Sequence, residues 1–188
     1  AVAYGLEQES EKNLLVYDFG GGTFDVAIIR REGDNFRVLG TGGDPKLGGE
    51  DFTQLLVQEF ENRLLDDYDI DMTDEDGSSL SHEEFRKNRE NIWSKCEQLK
   101  RDLSESEEGE VTVPVYTRRE TREHVSFRLS RDEFEDINAE LVVKSRKALD
   151  NALKDAELTR DAIDVVILAG GTSSIPCLRT FVERYFGS

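Results

Sequence analysis

Basic residues are scarce in this chain: 24 Lys and Arg stand against 41 Asp and Glu, a formal net charge of −17. That balance argues against nucleic acid as a partner, because neutralising a phosphate backbone needs a basic surface. It counts equally against an anionic membrane face. It does not exclude a nucleotide, which an acidic protein can hold through local donors and a metal ion. Cysteine is nearly missing too. Cys96 and Cys177 lie far apart and in no CxxC pattern, so they read as two reduced thiols of a cytoplasmic protein rather than a disulfide or a metal site. The two histidines, His82 and His124, lack metal-ligand spacing. No run reaches the apolar length of a membrane span, and no charged-then-apolar leader opens the chain. The only methionine is Met72, and the chain starts Ala1-Val2-Ala3-Tyr4-Gly5-Leu6, so it reads as a piece of something longer.

Several chemical signatures are also absent. There is no GxxxxGK followed by Ser or Thr, so no P-loop, and no GxGxxG turn leading from a strand into a helix. The acidic stretch Asp69 to Leu80 has no glycine at loop position six and no glutamate at twelve, which excludes an EF-hand. No Ser/His/Asp or Cys/His arrangement suggests a nucleophile, and no internal repeat is visible.

What is present suffices for a core. Hydrophobic residues make up 37% of the chain, and 188 residues allow one domain, with or without an inserted subdomain. Asn13 to Phe19 predicts a buried strand, Phe24 to Arg30 its antiparallel return, and Phe36 to Gly40 a third strand after a turn at Gly33. A helix opens at Gly48-Gly49-Glu50, with Phe52, Leu55, Leu56, Phe60 and Leu64 at helical spacing. Asp66 to Ser81 reads as an exposed acidic loop. A capping box at Ser81 predicts a helix to about Leu103, and strands follow over Val111 to Tyr116 and His124 to Leu129. A second capping box at Ser130 predicts one long helix to about Ala156. Ile163 to Ala169 predicts a fully buried strand, and Pro176 suits the first turn of a last helix. The layout is α/β, an antiparallel meander extended by a parallel crossover strand.

Three glycine turns carry the candidate chemistry. In Asp18-Phe19-Gly20-Gly21-Gly22-Thr23-Phe24-Asp25, the peptide N–H groups of Gly20, Gly21, Gly22 and Thr23 can line an anion, since no side chain blocks the approach. Asp18 and Asp25 bracket that turn, which suits a hydrated Mg²⁺ shared with phosphates. Gly49 and Glu50 start a helix, where free N–H groups favour anions. Gly170-Gly171-Thr172-Ser173 follows a strand and opens a helix, a common ligand position in α/β sheets. A further stripe, Glu97, Lys100, Arg101 and Ser104, shares one helix face. Such a row can hold a ribose and stack on a purine, but spacing alone favours a solvated face with a Glu97–Arg101 pair.

These segments together resemble the seventy-kilodalton heat-shock (DnaK-like) chaperone family, in the second lobe of its actin-like nucleotide-binding domain. The matching segments are AYGL at Ala3, DFGGGTFDVAI at Asp18, GGD and LGGEDF between Gly42 and Phe52, and CEQLKRDLS at Cys96. SRDEFEDINAEL at Ser130 and VVILAGGTSSIP at Val165 complete them. The resemblance implies a ribonuclease-H-like core, residues 1–47 and 139–188, interrupted by a smaller α/β subdomain, residues 48–138. It implies ATP or ADP with Mg²⁺ as ligands. Gly20 to Thr23 would meet the β- and γ-phosphates, Asp18 would act through metal-bound water, and Glu97, Lys100, Arg101 and Ser104 would meet adenosine. Gly170 and Gly171 would lie along the phosphates and sugar. It further implies an ATP-hydrolysing chaperone with a first lobe, a peptide-binding domain, nucleotide-exchange factors and J-domain co-chaperones as partners. Two departures mark a divergent member: Ser174 stands where the family usually has an arginine against adenine, and Pro45-Lys46 replaces Thr-His. The alternatives are another actin-like phosphotransferase, of the sugar or acetate kinase type, and a non-enzymatic module whose acidic insert recruits a basic partner.

Overall fold

A computed structural model describes residues 11–117 and 121–187; the AYGL segment at Ala3 lies outside them. In chain order the elements are β1 (Lys12–Phe19), β2 (Phe24–Glu32), β3 (Asn35–Asp44), α1 (Gly49–Tyr68), α2 (His82–Glu105), β4 (Glu108–Tyr116), β5 (Arg122–Ser130), α3 (Arg131–Ile137), α4 (Ala139–Asp155), β6 (Val165–Ala169) and α5 (Pro176–Phe186). They form two compact units, one of the described residues within Ala1–Asp51 and Ala139–Ser188, the other within Phe52–Asn138.

The first unit is built on a four-stranded sheet in the order β3-β2-β1-β6. β1 pairs antiparallel with β2 and parallel with β6, and β2 pairs antiparallel with β3. Strand alternation puts Leu15, Tyr17, Phe19, Phe24, Val26 and Ile28 on one face, all buried. Tyr17 and Phe19 each pack against Phe24, with ring centroids 4.6 Å and 4.7 Å away. α4 lies close over β3, because a Cβ at Gly40 would sit 2.5 Å from the Ala152 carbonyl and one at Gly42 2.4 Å from that of Ala148. β3 therefore runs past the predicted end at Gly40 to Asp44, with a bulge opposite Ile28 and Ile29. β6 is shorter than expected and not fully buried; among the described residues it has a neighbouring strand on one side only, and Leu168 remains 38% exposed.

The second unit packs α2 and α3 on the two-stranded sheet β4–β5. Val111, Val113, Val115, Val125, Phe127 and Leu129 form its buried face. Both capping boxes are present: Ser81 with Glu84, and Ser130 with Glu133. The helix after Ser130 is not continuous. It breaks at Asn138 (φ −100°, ψ 5°), whose buried side-chain amide donates to the Phe134 carbonyl at 2.7 Å. The stretch read as an exposed acidic loop begins as the last turn of α1 and buries Ile70, Met72 and Leu80. Asn88, fully buried on α2, extends the ladder sideways: it accepts from the Tyr116 amide at 2.7 Å and donates to the Tyr116 carbonyl at 3.0 Å. Among the described residues, no helix is long and apolar enough to cross a membrane.

Candidate functional site

Asp18 and Asp25 are direct partners across the β1–β2 pair, so both side chains leave the same face. That face is opposite to Tyr17 and Phe19, and both carboxylates are exposed. Asp18 is thus exposed although it lies in a strand predicted to be buried. The two acids border an open cavity of about 480 Å³, together with Val16, Ala27, Thr41 and Asp44. Like charges directly opposite on a sheet oppose each other, and a cation between them would remove that cost. Among the described residues, no group of three or more His, Cys, Asp and Glu could hold a metal. The chain offers a pair, which suits a Mg²⁺ that keeps most of its waters.

The turn between the two strands is held by its carbonyls. Gly20 closes it by donating its N–H to the Thr23 carbonyl at 2.9 Å. The Gly20 carbonyl accepts from the Gly49 amide at 3.0 Å and from Thr172 Oγ1 at 2.9 Å; the Gly21 carbonyl accepts from the Glu50 amide at 2.8 Å. In a planar trans peptide the C=O and the following N–H point in opposite directions. Pulling those two carbonyls into the unit turns the amides of Gly21 and Gly22 toward the exposed side. Gly49 and Glu50 thus do something other than expected. Their amides are used within the chain, and they aim the turn instead of facing an anion as free donors.

The glycines fall into two kinds. A Cβ at Gly48 would lie 2.3 Å from the Gly21 carbonyl oxygen, and one at Gly170 2.2 Å from that of Phe19 and 2.7 Å from Asp18 Oδ1. Gly170 also holds φ +79°, which disfavours other residues. These two are required by the chain's own packing. Gly21, Gly22 and Gly171 are not: a Cβ on any of them meets nothing within 4 Å, and none has positive φ. Gly21 and Gly22 therefore leave room for a group that approaches the backbone, whereas a Cβ at Gly20 would lie 3.3 Å from the Thr23 carbonyl oxygen.

In the second unit, Glu97, Lys100, Arg101 and Ser104 all lie on α2. Lys100 Nζ donates to Glu97 Oε2 at 2.7 Å and to Thr53 Oγ1 at 2.8 Å, and Thr53 Oγ1 donates to Glu97 Oε2 at 2.5 Å. Arg101 Nη2 donates to Glu97 Oε1 at 3.1 Å, and the Ser104 hydroxyl to the Lys100 carbonyl at 3.0 Å. Burial alone would push the Glu97 carboxyl up. The hydrogen bonds from Lys100 and Thr53, with the charges beside them, outweigh it and hold the carboxyl below its ordinary value. The Glu97–Arg101 pair that spacing favoured is present, with the Arg101 side chain largely exposed, but Lys100 is 9% exposed, so the stripe is solvated on the Arg101 side only.

A family model described as Hsp70 protein matches residues 1–188. The chain belongs to the Hsp70 family. It is 34% identical over 188 residues to a chaperone protein dnaK of Emiliania huxleyi, an alignment covering 100% of this chain and 29% of that relative. The chain thus spans less than a third of that relative's length. Hsp70 membership agrees with the α/β, actin-like fold expected from the motifs, and favours neither the kinase nor the non-enzymatic alternative.

Within this Hsp70 chain, Ser174 is exposed and donates its hydroxyl to the Gly171 carbonyl at 2.7 Å. Thr172, named in the third glycine turn but given no role of its own there, donates its hydroxyl to the Gly20 carbonyl from 152 positions away. Thr172→Val should leave the fold intact and weaken binding of magnesium pyrophosphate by about five- to tenfold, the worth of one hydrogen bond that aims the turn. Calorimetric titration of both proteins checks this; equal affinities would refute it.

Proposed function

We propose that the chain binds an adenine nucleotide with Mg²⁺, as the second lobe of a chaperone nucleotide-binding domain. The observation that carries this reading is the pinned hairpin: outward amides at Gly21 and Gly22, open space above them, and two facing carboxylates beside them. The amides of Gly21, Gly22 and Thr23 and the Thr23 hydroxyl hold the β- and γ-phosphates, while the Gly20 amide, expected to join them, is spent on the Thr23 carbonyl and closes the turn. Asp18 and Asp25 hold the hydrated metal, and Gly170 and Gly171 lie along the phosphates and sugar. When bound, Mg²⁺ supplies charge neutralisation on the phosphate oxygens. Glu97, Lys100, Arg101 and Ser104 hold the adenosine, with Arg101 stacking on the base through its planar guanidinium. Ser174, lacking the family's usual arginine, leaves the other face of adenine less covered and loosens base selectivity.

The parent protein, on this reading, hydrolyses ATP to drive peptide binding and release, in the cytoplasm, with a first lobe, nucleotide-exchange factors and J-domain co-chaperones as partners. The test is calorimetry of the full chain with ATP and GTP, each with and without Mg²⁺. We expect ATP binding that depends on Mg²⁺, weak discrimination against GTP, and negligible phosphate release from these 188 residues. Nucleotide binding indifferent to Mg²⁺ would overturn the metal assignment. Robust phosphate release abolished by Asp18→Ala would overturn the claim that this lobe is inactive alone.

A further inference from the structure

Thr53 is a polar residue in the early part of α1 with no exposure at all. Buried hydroxyls are retained where they have partners, and this one has two on another helix. The polarity of those bonds is unambiguous. An ammonium only donates and a carboxylate only accepts, so the hydroxyl must accept from Lys100 Nζ at 2.8 Å and donate to Glu97 Oε2 at 2.5 Å. With the direct Lys100–Glu97 contact at 2.7 Å, the three groups close a triangle.

We infer that Thr53 is a positioning residue for the adenosine-binding stripe, its hydroxyl fixing Glu97 and Lys100 in the arrangement they offer a nucleoside; this rests on the adenosine assignment above. Lys and Glu carry long stems with several rotamers each. A bare ion pair leaves them many geometries, whereas a buried hydroxyl bonded to both leaves few. The effect extends outward. Arg101, whose side chain is 72% exposed, is held by Glu97 Oε1, so a carboxylate fixed through Oε2 also orients the guanidinium. The depressed carboxyl of Glu97 fits the same picture, since hydrogen bonds from Lys100 and Thr53 act against the burial that would raise it. Neither spacing nor composition points to Thr53, because it lies 44 positions from Glu97.

Thr53→Val keeps the shape and removes the hydroxyl, while Thr53→Ser restores it. Three measurements on the full chain separate the roles: affinity for adenosine and ATP, affinity for magnesium pyrophosphate, and the titration of the Glu97 carboxyl by carbon-detected NMR. Thr53→Val should weaken adenosine and ATP by about ten- to a hundredfold, the worth of a hydrogen bond to a charged group. It should leave pyrophosphate unchanged and move the Glu97 titration upward, with Thr53→Ser close to the parent in all three. Unchanged adenosine affinity in Thr53→Val, or an equal loss for pyrophosphate, overturns the positioning role. An unmoved Glu97 titration overturns it as well, and Thr53→Ala provides that reading should the valine variant fail to fold. If the parent chain binds pyrophosphate but not adenosine, the adenosine assignment itself falls, and this inference with it.

Discussion

Asp25→Asn should make the metal-free chain more stable and remove its response to Mg²⁺. Asp25 and Asp18 face each other directly across an antiparallel pair, and opposed like charges there cost about 0.2–1 kcal/mol. Neutralising one member should raise the melting temperature of the metal-free protein by about 1–4 °C for a chain of this size. The same substitution deletes half of the carboxylate pair proposed to hold the cation. Affinity for magnesium nucleotide should fall by about ten- to a hundredfold, the range for losing a charged contact. Both effects are read by scanning calorimetry with and without Mg²⁺ and nucleotide. A lower melting temperature in the metal-free variant would show that the pair is not repulsive, and an intact Mg²⁺ response would remove Asp25 from the site. The two results together would mark a place where stability is given up for function.

Gly170→Ala should be the most damaging single-methyl change in the core unit. Gly170 holds φ +79°, a conformation that costs an L-residue about 1–2 kcal/mol. Its new methyl would lie 2.2 Å from the Phe19 carbonyl oxygen, and 2.7 Å from Asp18 Oδ1. The first of these is backbone at the end of β1 and cannot rotate away. We expect a loss of about 3 kcal/mol or more, lowering the melting temperature by roughly 6–12 °C, together with a displaced Asp18 and a weakened Mg²⁺ response. The neighbouring Gly171→Ala is the matched control. It meets nothing within 4 Å and has an ordinary backbone, so it should melt like the parent and lose affinity only for the nucleotide. Equal stability of the two variants would contradict the distinction between glycines required by packing and glycines that leave room for a ligand.

The strands that flank the hairpin are legible in the sequence because their apolar residues alternate or run unbroken between turn signals. β3 is not, beyond Gly40. Gly40, Gly42 and Gly43 read locally as turn residues, yet the strand continues because β2 pairs with it and α4 needs the missing side chains to come close. The break at Asn138 is hidden for the opposite reason, since the helical pattern of apolar residues continues through it. β6 looks fully buried by composition alone, but composition does not tell that, among the described residues, it pairs with one strand. The position of the hairpin is equally readable, whereas the way it is held is not. The bonds that fix Gly20, the Glu97 stripe and the end of β4 join residues 152, 44 and 28 positions apart. Local spacing carries no information about such pairs.

The pairing of β1 with β6 bears on the order in which the chain assembles. The Asn13 amide bonds the Asp164 carboxylate at 2.7 Å across 151 intervening steps of sequence, and the parallel register from Leu14 to Asp18 follows from there. Contacts this distant form slowly, because a long loop must close before they repay its entropy. The unit from Phe52 to Asn138 is contiguous and has no such delay. During synthesis β1 and β2 can form a hairpin early, but the inner flank of β1 stays without its partner until Val165 to Ala169 has been made. The glycine turn would therefore acquire its Thr172 anchor last, and competence to bind phosphate would mark the completion of folding.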